Sequence, residues 1–181
     1  ANQIFSPDER WLIFARRDES SGSRFEIVRV AIDDTTMTEV IISNANHDVQ
    51  RPELSPDGEY IAYIQVSDSE DQLLVARYPS GEDGEIISTN GARFPTWRGD
   101  YLYWVDGDNN LIRAETSTAP VFDYAIPEIV FSRNSDLVSP SRNFPSYDVN
   151  EDGNFVAIAR TNLHEYRVAI HEDWLTLIRN E

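Results

Sequence analysis

The stretch LSPDGEYIAYIQ, residues 54–65, joins a tight-turn signal directly to an uninterrupted apolar run. Proline presets φ for the second position of a type I turn, aspartate bonds to nearby backbone, and glycine accepts a positive φ. The five residues from Tyr60 to Ile64 are all apolar, which indicates a short strand buried on both faces. Because a turn this short connects neighbouring antiparallel strands, the stretch predicts a hairpin.

The same unit of turn and apolar quintet occurs four times along the chain. Each quintet begins with an aromatic residue, and the four quintets start at Trp11, Tyr60, Tyr101 and Phe155, which are 49, 41 and 54 residues apart. The turns in front of them read SPDER, SPDGE, RGD and NEDGN. Aromatic residues that recur at one phase of a repeat predict packing, so we expect these four side chains in the core, together with Leu54, Trp97 and Tyr147 at a second phase.

A second strand follows each quintet, and a third and a fourth strand follow the first three quintets in the same order. The second strand is expected at Phe25–Ile32, Gln72–Tyr78, Leu111–Glu115 and Tyr166–Ile170. The third is expected at Glu39–Ser43, Glu85–Ser88 and Glu128–Ser132. The fourth begins with proline, at Pro52–Leu54, Pro95–Trp97 and Pro145–Tyr147. A period of about 40–50 residues with four strands is that of a propeller blade, whose inner strands have neighbouring blades on both faces.

We therefore predict an all-β chain, a β-propeller of about four blade-like units with four antiparallel strands each. The units lie roughly at residues 6–54, 55–97, 98–147 and 148–181, in one domain or propeller segment over residues 1–181.

Composition excludes several classes of partner and site. The 181 residues carry 32 acidic and 15 basic side chains, and the net charge is −17. A field of that sign repels nucleic acid and anionic lipid, so neither is expected as a partner. The chain has no cysteine, which removes disulfides, thiol nucleophiles and cysteine-based zinc sites. No apolar run approaches the roughly 18 residues that spanning a bilayer requires, so no membrane insertion by this segment is expected.

Two phrases of the sequence, Phe5–Asp8 and Leu54–Tyr63, resemble the repeat of TolB-type, WD-like β-propellers. The third turn, Trp97–Asp100, lacks Ser-Pro, and the fourth, Asn150–Gly153, keeps only Asp-Gly. The resemblance implies a non-catalytic binding or sensor module of the bacterial periplasm that contacts a protein or a small ligand. Two alternatives stay open: the propeller part of a larger enzyme, a serine peptidase or serine/threonine kinase, and a small calcium- or carbohydrate-binding propeller.

Ring closure depends on the N-terminal strand Gln3–Phe5. It could complete the last blade of a small four-bladed ring, or it could pair with an upstream blade of a larger ring. We favour the second arrangement, in which this chain is the C-terminal portion of a larger propeller. An open arc would leave blade edges unpaired, and such edges invite a homodimer.

No catalytic, cofactor-binding or metal-binding residue is predicted, and no cofactor. Asp148–Gly153 matches the start of a calcium loop, but the twelfth position, where that loop needs glutamate, is Ala159. A hairpin turn is the preferred interpretation there and at Asp106–Asn110, with calcium as the alternative. The histidines His47, His164 and His171 lack the spacing of a helical zinc site, and no G-x-S-x-G or phosphate-binding loop occurs.

Three polar or aromatic segments could still take part in contacts. The loops Arg16–Arg24 and Val138–Asn143 are candidate contact sites, although ordinary solvated loops explain them as well. Trp174, behind the last clear strand, is expected to dock the tail, with partner binding as the alternative.

Overall fold

The computed structural model of the chain describes residues 3–18, 24–132, 147–150, 153–162 and 165–171, with side chains described as far as Val156. These residues contain strands and turns and no helix. The prediction of an all-β propeller is confirmed, because the strands form four antiparallel sheets that pack one behind the next. We call these sheets blades 1 to 4.

The blades follow the chain in order. Blade 1 contains β1 (Gln3–Phe5), β2 (Trp11–Asp18), β3 (Arg24–Ala31) and β4 (Thr38–Ile42). Blade 2 contains β5 (Asp48–Leu54), β6 (Tyr60–Val66), β7 (Gln72–Arg77) and β8 (Glu85–Ile86). Blade 3 contains β9 (Arg93–Arg98), β10 (Tyr101–Val105), β11 (Leu111–Ser117), β12 (Asp123–Tyr124) and β13 (Glu128–Phe131). Blade 4 contains β14 (Tyr147–Val149), β15 (Phe155–Asn162) and β16 (Glu165–His171).

Each of the proline-led strands β5 and β9 is the first strand of a blade and not the last strand of the blade before it. β5 pairs with β6, and β9 pairs with β10, so each proline-led strand forms a hairpin with the quintet that follows it. The sheets are therefore offset by one strand from the repeat units of the sequence. The physical reason is the short turn between them, which leaves no room for the chain to cross to another sheet.

The same turn corrects the prediction that Gln3–Phe5 could complete the last blade. β1 pairs with β2, with Ile4 opposite Ile13, and is the first strand of blade 1. The turn fixes this pairing, because the Ser6 N–H donates to the carbonyl of Trp11 over 2.9 Å and so closes the hairpin directly behind β1. Pairing of this strand with an upstream blade of a larger ring stays a prediction. Within the described residues, the four sheets do not close into a ring.

A serine–aspartate clasp explains why the Ser-Pro-Asp phrase occurs twice. In blade 2 the Ser55 hydroxyl donates to Asp57 over 2.6 Å and accepts the Tyr60 N–H over 3.0 Å. The Ser6 hydroxyl makes the same pair of bonds with Asp8 and with the Trp11 N–H. These bonds satisfy the polar groups of the turn and place the first residue of each quintet at the start of its strand.

The quintet of blade 2, Tyr60–Ile64, lies between two neighbouring blades. Ile61 and Tyr63 are buried against blade 1, whereas Tyr60, Ala62 and Ile64 are buried against blade 3. Burial of an isoleucine-sized side chain contributes roughly 1.5–3 kcal/mol. A strand between two blades is therefore apolar throughout, as predicted.

The recurring aromatic positions are not equally buried. Tyr60 and Phe155 lie in the core, but Trp11 and Tyr101 are only half-buried, so the prediction of four core residues is wrong for two of them. Arginine from the next strand covers both: the Arg29 guanidinium lies 4.0 Å from the Trp11 ring centre and that of Arg113 lies 4.8 Å from Tyr101. A cation over an aromatic face keeps its charge near water while it covers the ring. At the second phase, Trp97 and Tyr147 are buried, and Leu54 is partly buried.

Candidate functional site

The first strands of the blades meet one another along one side of the stack. β5 packs on β1, and β9 packs on both β5 and β14. Within the described residues each of these strands pairs with another strand on one edge only, so its other edge faces the surface without a strand partner. We call the surface formed by β5, β9 and β14 the inner-strand surface.

A bulge before proline shapes two of these strands. Arg51 and Phe94 both have φ of 56°, the left-handed region that side chains other than glycine rarely adopt, and each precedes a proline. The pairing of β5 with β6 shifts in register between Gln50 and Glu53. A bulge of this kind re-aims a side chain, and left-handed non-glycine residues concentrate at functional sites. The two bulges therefore indicate that the inner-strand surface is a candidate functional site.

Arg98, at the end of β9, ties three blades together. Its guanidinium lies 3.1 Å from Glu53 of blade 2 and 3.4 Å from Asp148 of blade 4. It also donates to the backbone carbonyls of Val149 over 2.9 Å and Trp97 over 2.6 Å. The planar fork of arginine suits such a network, because its donors point in several fixed directions.

In this network the charged form of the Glu53 carboxyl is disfavoured by its burial. Burial raises the pKa of the Glu53 carboxyl, although Arg98 and the Trp97 N–H both favour the charged form. The Trp97 N–H donates to the same carboxylate oxygen over 3.3 Å. Glu53 therefore joins a side-chain ion pair to a backbone contact between blades 2 and 3.

A small pocket opens between the arginines. Its volume is about 250 Å³, and its walls include Arg51, Glu53, Phe94, Thr96 and Arg98. Tyr147 closes one side: its hydroxyl donates to the Phe94 carbonyl over 2.7 Å, and burial raises the pKa of its phenol. That hydroxyl therefore acts as a neutral donor that fixes the bulge. The pocket is lined mainly by polar groups, and its backbone is braced from blade 4.

A second depression continues the surface toward blade 1. It measures about 500 Å³ and shares Glu53 and Arg98 with the first pocket, while Ile4, Phe5 and Pro7 supply apolar lining. Phe5 is 63% exposed, so an aromatic ring is presented beside the charged network. An apolar lining with a few convergent polar groups is typical of ligand-binding surfaces.

The two loops proposed for calcium form turns. The Asp106 carboxylate accepts the Asn110 N–H over 2.7 Å and the Asn110 side-chain amide over 2.9 Å, which confirms the hairpin turn at Asp106–Asn110. Asn150 accepts the Asn154 N–H over 2.8 Å in the fourth turn, of which residues 151 and 152 lie outside the described residues. In the part of the chain that the structure describes, no cluster of three or more histidine, cysteine, aspartate or glutamate side chains could hold a metal ion.

Several other predicted positions fall partly or wholly outside the described residues: residues 19–23 of the loop at Arg16–Arg24, the loop Val138–Asn143, His164, Trp174 and residues 145–146 of the last proline-led strand. His47 is half-buried in the turn before β5, and for His171 only the backbone of β16 is described. Among the described residues there is no helix that could span a bilayer.

The sequence did not single out Arg51, Glu53 or Arg98, and it marked Asp148 only as the start of a possible calcium loop. These residues lie on three different blades and far apart in the sequence, so no local motif contains them all. Two signals were nevertheless present. Proline inside a strand indicates an edge or a bulge, and Arg98 stands where the third turn departs from Ser-Pro.

Comparison with solved structures identifies the fold. TolB from Acinetobacter baumannii superposes with a TM-score of 0.68 over 95% of this chain and 40% of its own, at 14% identity. A puromycin-hydrolyzing peptidase from Mycobacterium tuberculosis gives 0.70 over 96% and 29%, at 15% identity. Prolyl oligopeptidase B from Galerina marginata gives 0.65 over 96% and 25%, at 12% identity.

No protein-family model matches this chain, and no curated protein matches its sequence. The chain spans 40% or less of the length of these three structures. That the chain is the C-terminal portion of a larger ring stays a prediction. At this level of identity the likeness shows the fold alone, and the fold is a TolB-like β-propeller.

Proposed function

We propose that this chain is a non-catalytic binding module whose inner-strand surface holds a segment of another protein or a small ligand. The observation that carries the proposal is the convergence of three blades on the pocket around Arg98. The Trp97 backbone groups of β9 are already bonded to Glu53 and Arg98, so an extended peptide would pair with the edge of β5 that no described strand covers. A periplasmic location rests on the TolB-like resemblance and belongs to this proposal.

The test is a selection of displayed peptides on the folded chain, followed by hydrogen exchange with the best peptide bound. We expect the backbone amides of β5 and β9 that face the pocket to exchange more slowly, while amides of β4 and β8 keep their rates. Protection confined to β4 and β8 would contradict the proposal, because the ligand would then occupy the outer edges. Selection that enriches no peptide would also count against a peptide ligand.

A second candidate is the propeller part of a larger peptidase. Its support is the likeness to the puromycin-hydrolyzing peptidase and to prolyl oligopeptidase B, of which this chain spans 29% and 25%. The parent reading frame discriminates the two candidates, since a peptidase domain would show a nucleophile elbow outside this chain. The kinase, calcium and carbohydrate alternatives remain predictions of the resemblance.

A further inference from the structure

Arg51 is a half-buried cation that no carboxylate neutralises within ion-pair distance. The ion pairs of 4.0 Å or less between described residues include those of Arg16, Arg29, Arg77, Arg98 and Arg113, and none of these pairs involves Arg51. Arg98, in the same pocket, already shares its charge between Glu53 and Asp148. Arg51 is therefore the arginine of this pocket that makes no direct ion pair, although Glu53 and Asp148 balance the two arginines of the pocket in formal charge.

The Arg51 side chain is held in place by groups other than an anion. Its guanidinium lies 4.3 Å from the centre of the Phe94 ring, and its own backbone sits in the bulge with φ of 56°. Phe94 is fixed in turn by the Tyr147 hydroxyl. Stacking holds the plane of a guanidinium and leaves its N–H edge free to donate, so Arg51 is prepared for a planar acceptor.

The burial of Arg51 leaves its charge short of hydrogen-bonding partners. Burial lowers the pKa of Arg51, the nearby Asp71 acts in the opposite direction, and the nearby Arg93 adds to the lowering by a smaller amount. Arg93 itself donates to the Asp106 carbonyl and to the Asn109 side chain, both of which are neutral acceptors. An incoming carboxylate would relieve the repulsion between the two arginines and would replace water lost on burial.

The size of the pocket restricts the ligand group. A volume of about 250 Å³ is below that of most drug-sized ligand pockets, so it suits one side chain or one chain terminus. Thr96 lines the same pocket; its hydroxyl bonds to the Tyr147 phenol, and by turning its proton it can donate to a ligand oxygen instead.

We propose that Arg51 and Thr96 form a carboxylate-binding subsite, which takes an acidic side chain or a C-terminal carboxylate of the ligand on the inner-strand surface. The inference rests on the proposed binding function and adds the chemistry of the ligand to it. The carboxylate can come from a peptide segment or from a free organic acid, and the experiment separates these two sources.

The test titrates the folded chain with two pairs of probes. One pair is the peptide amides Gly-Ala-Phe-Glu and Gly-Ala-Phe-Gln, and the other is succinate and its neutral diamide. Binding is followed through the Nε–Hε signal of Arg51 in nitrogen-labelled protein. We expect each charged probe to bind at least about tenfold more tightly than its neutral partner, because a bidentate pair with arginine is lost in the latter.

Variants assign the effect to Arg51. Arg51→Met keeps the length of the stem and removes the charge, and Arg10→Met removes the same charge from an exposed turn. Because Arg51→Met removes the reporter signal as well, the amide signal of Phe94 is followed in all variants. We expect the preference for charged probes to disappear in Arg51→Met and to persist in Arg10→Met. If Arg51→Met does not fold, Arg51→Lys serves instead, with a reduced preference expected because lysine lacks the fork.

Equal binding of charged and neutral probes, or equal losses in the two methionine variants, would overturn the subsite. Tighter binding of the peptide than of succinate identifies a peptide segment as the source, whereas equal binding identifies a free acid. The proposed function fails separately. Peptides that protect β5 and β9 without an acidic preference would leave the function standing and refute the subsite.

Discussion

At Glu53, burial and ion pairing act in opposite directions on one carboxylate. Burial raises the pKa of the group, and the Arg98 guanidinium and the Trp97 N–H offset only part of that effect. The charged form is therefore less stable in the folded chain than in water. Removing two charges from water often costs more than their mutual attraction returns.

This balance predicts that Glu53→Gln is more stable than the parent chain near pH 7.5. A folded pKa above the unfolded value means that stability is present below the unfolded pKa and is lost as pH rises through the folded pKa. Glutamine keeps an oxygen for Arg98 and Trp97 but cannot ionise. In urea unfolding, we expect the free-energy difference in favour of Glu53→Gln to grow between about pH 4 and pH 7.5, to the order of 1 kcal/mol.

Glu82→Gln provides the control, because Glu82 is exposed. Its free-energy difference from the parent chain should stay small at both pH values. A Glu53→Gln advantage that shrinks as pH rises would show that the attraction of Arg98 outweighs the burial of Glu53.

Single residues also show where sequence reasoning stops. Trp11 and Tyr60 occupy the same phase of the repeat and were predicted to be equally buried, yet only Tyr60 is in the core. The difference comes from what lies above each ring. Arg29 covers Trp11 and is held by Glu39 of the next strand, a pairing across three strands that the phase of one residue cannot reveal.

At the scale of the element, the turn after β7 locks blade 2 onto blade 1. Gly81 has φ of 71°, and a Cβ built there would overlap the carbonyl oxygen of Ile41 in β4. Gly99, in the turn between β9 and β10, has φ of 53° but faces open space. The two glycines thus share a backbone conformation and differ in whether another blade approaches.

This contrast predicts that Gly81→Ala is much more destabilising than Gly99→Ala. Both substitutions pay the cost of a left-handed alanine, about 1 kcal/mol. Gly81→Ala must in addition push blade 2 away from Ile41, so we expect it to lose at least about 2 kcal/mol more. Thermal or urea unfolding measures both. Equal losses would show that the turn moves aside and does not bind the blades together.

The elements themselves were largely predictable. Turn signals and apolar quintets located the hairpins, because the clasp of Ser55 and Asp57 is a local interaction. The sequence did not reveal β12 as a fifth strand of blade 3. That strand is anchored by Phe122, which packs 5.4 Å from the Tyr60 ring and donates its N–H to the Tyr60 hydroxyl. Contacts between neighbouring blades depend on the finished fold, as do the partners of Arg98.

At the scale of the whole molecule, the outer strands combine an apolar residue with an acidic one. β4, β8 and β13 carry exposed Val40, Ile86 and Ile129, each directly after an exposed glutamate: Glu39, Glu85 and Glu128. Short edge strands with charges are a known protection against pairing between copies. The homodimer expected from open blade edges is therefore opposed by the charge of those same edges.

We predict that association through these edges depends on salt. At about 20 mM salt the acidic edges repel each other over tens of ångströms, whereas at about 0.5 M that repulsion is screened within a few ångströms. Light scattering after size exclusion should therefore give a monomer mass at low salt and a rising mass at high salt.

The triple variant Glu39→Gln, Glu85→Gln, Glu128→Gln should dimerise already at low salt, because the three edges lose their negative charges, two of which pair with Arg29 and Arg113, while the exposed apolar residues remain. A variant with Glu9, Asp68 and Glu82 changed to their amides loses the same charge from exposed turns and should stay monomeric there. If both variants dimerise alike, net charge governs association and the edges do not. If neither associates at any salt concentration, the three short edge strands are too small to join two copies, and the homodimer is refuted.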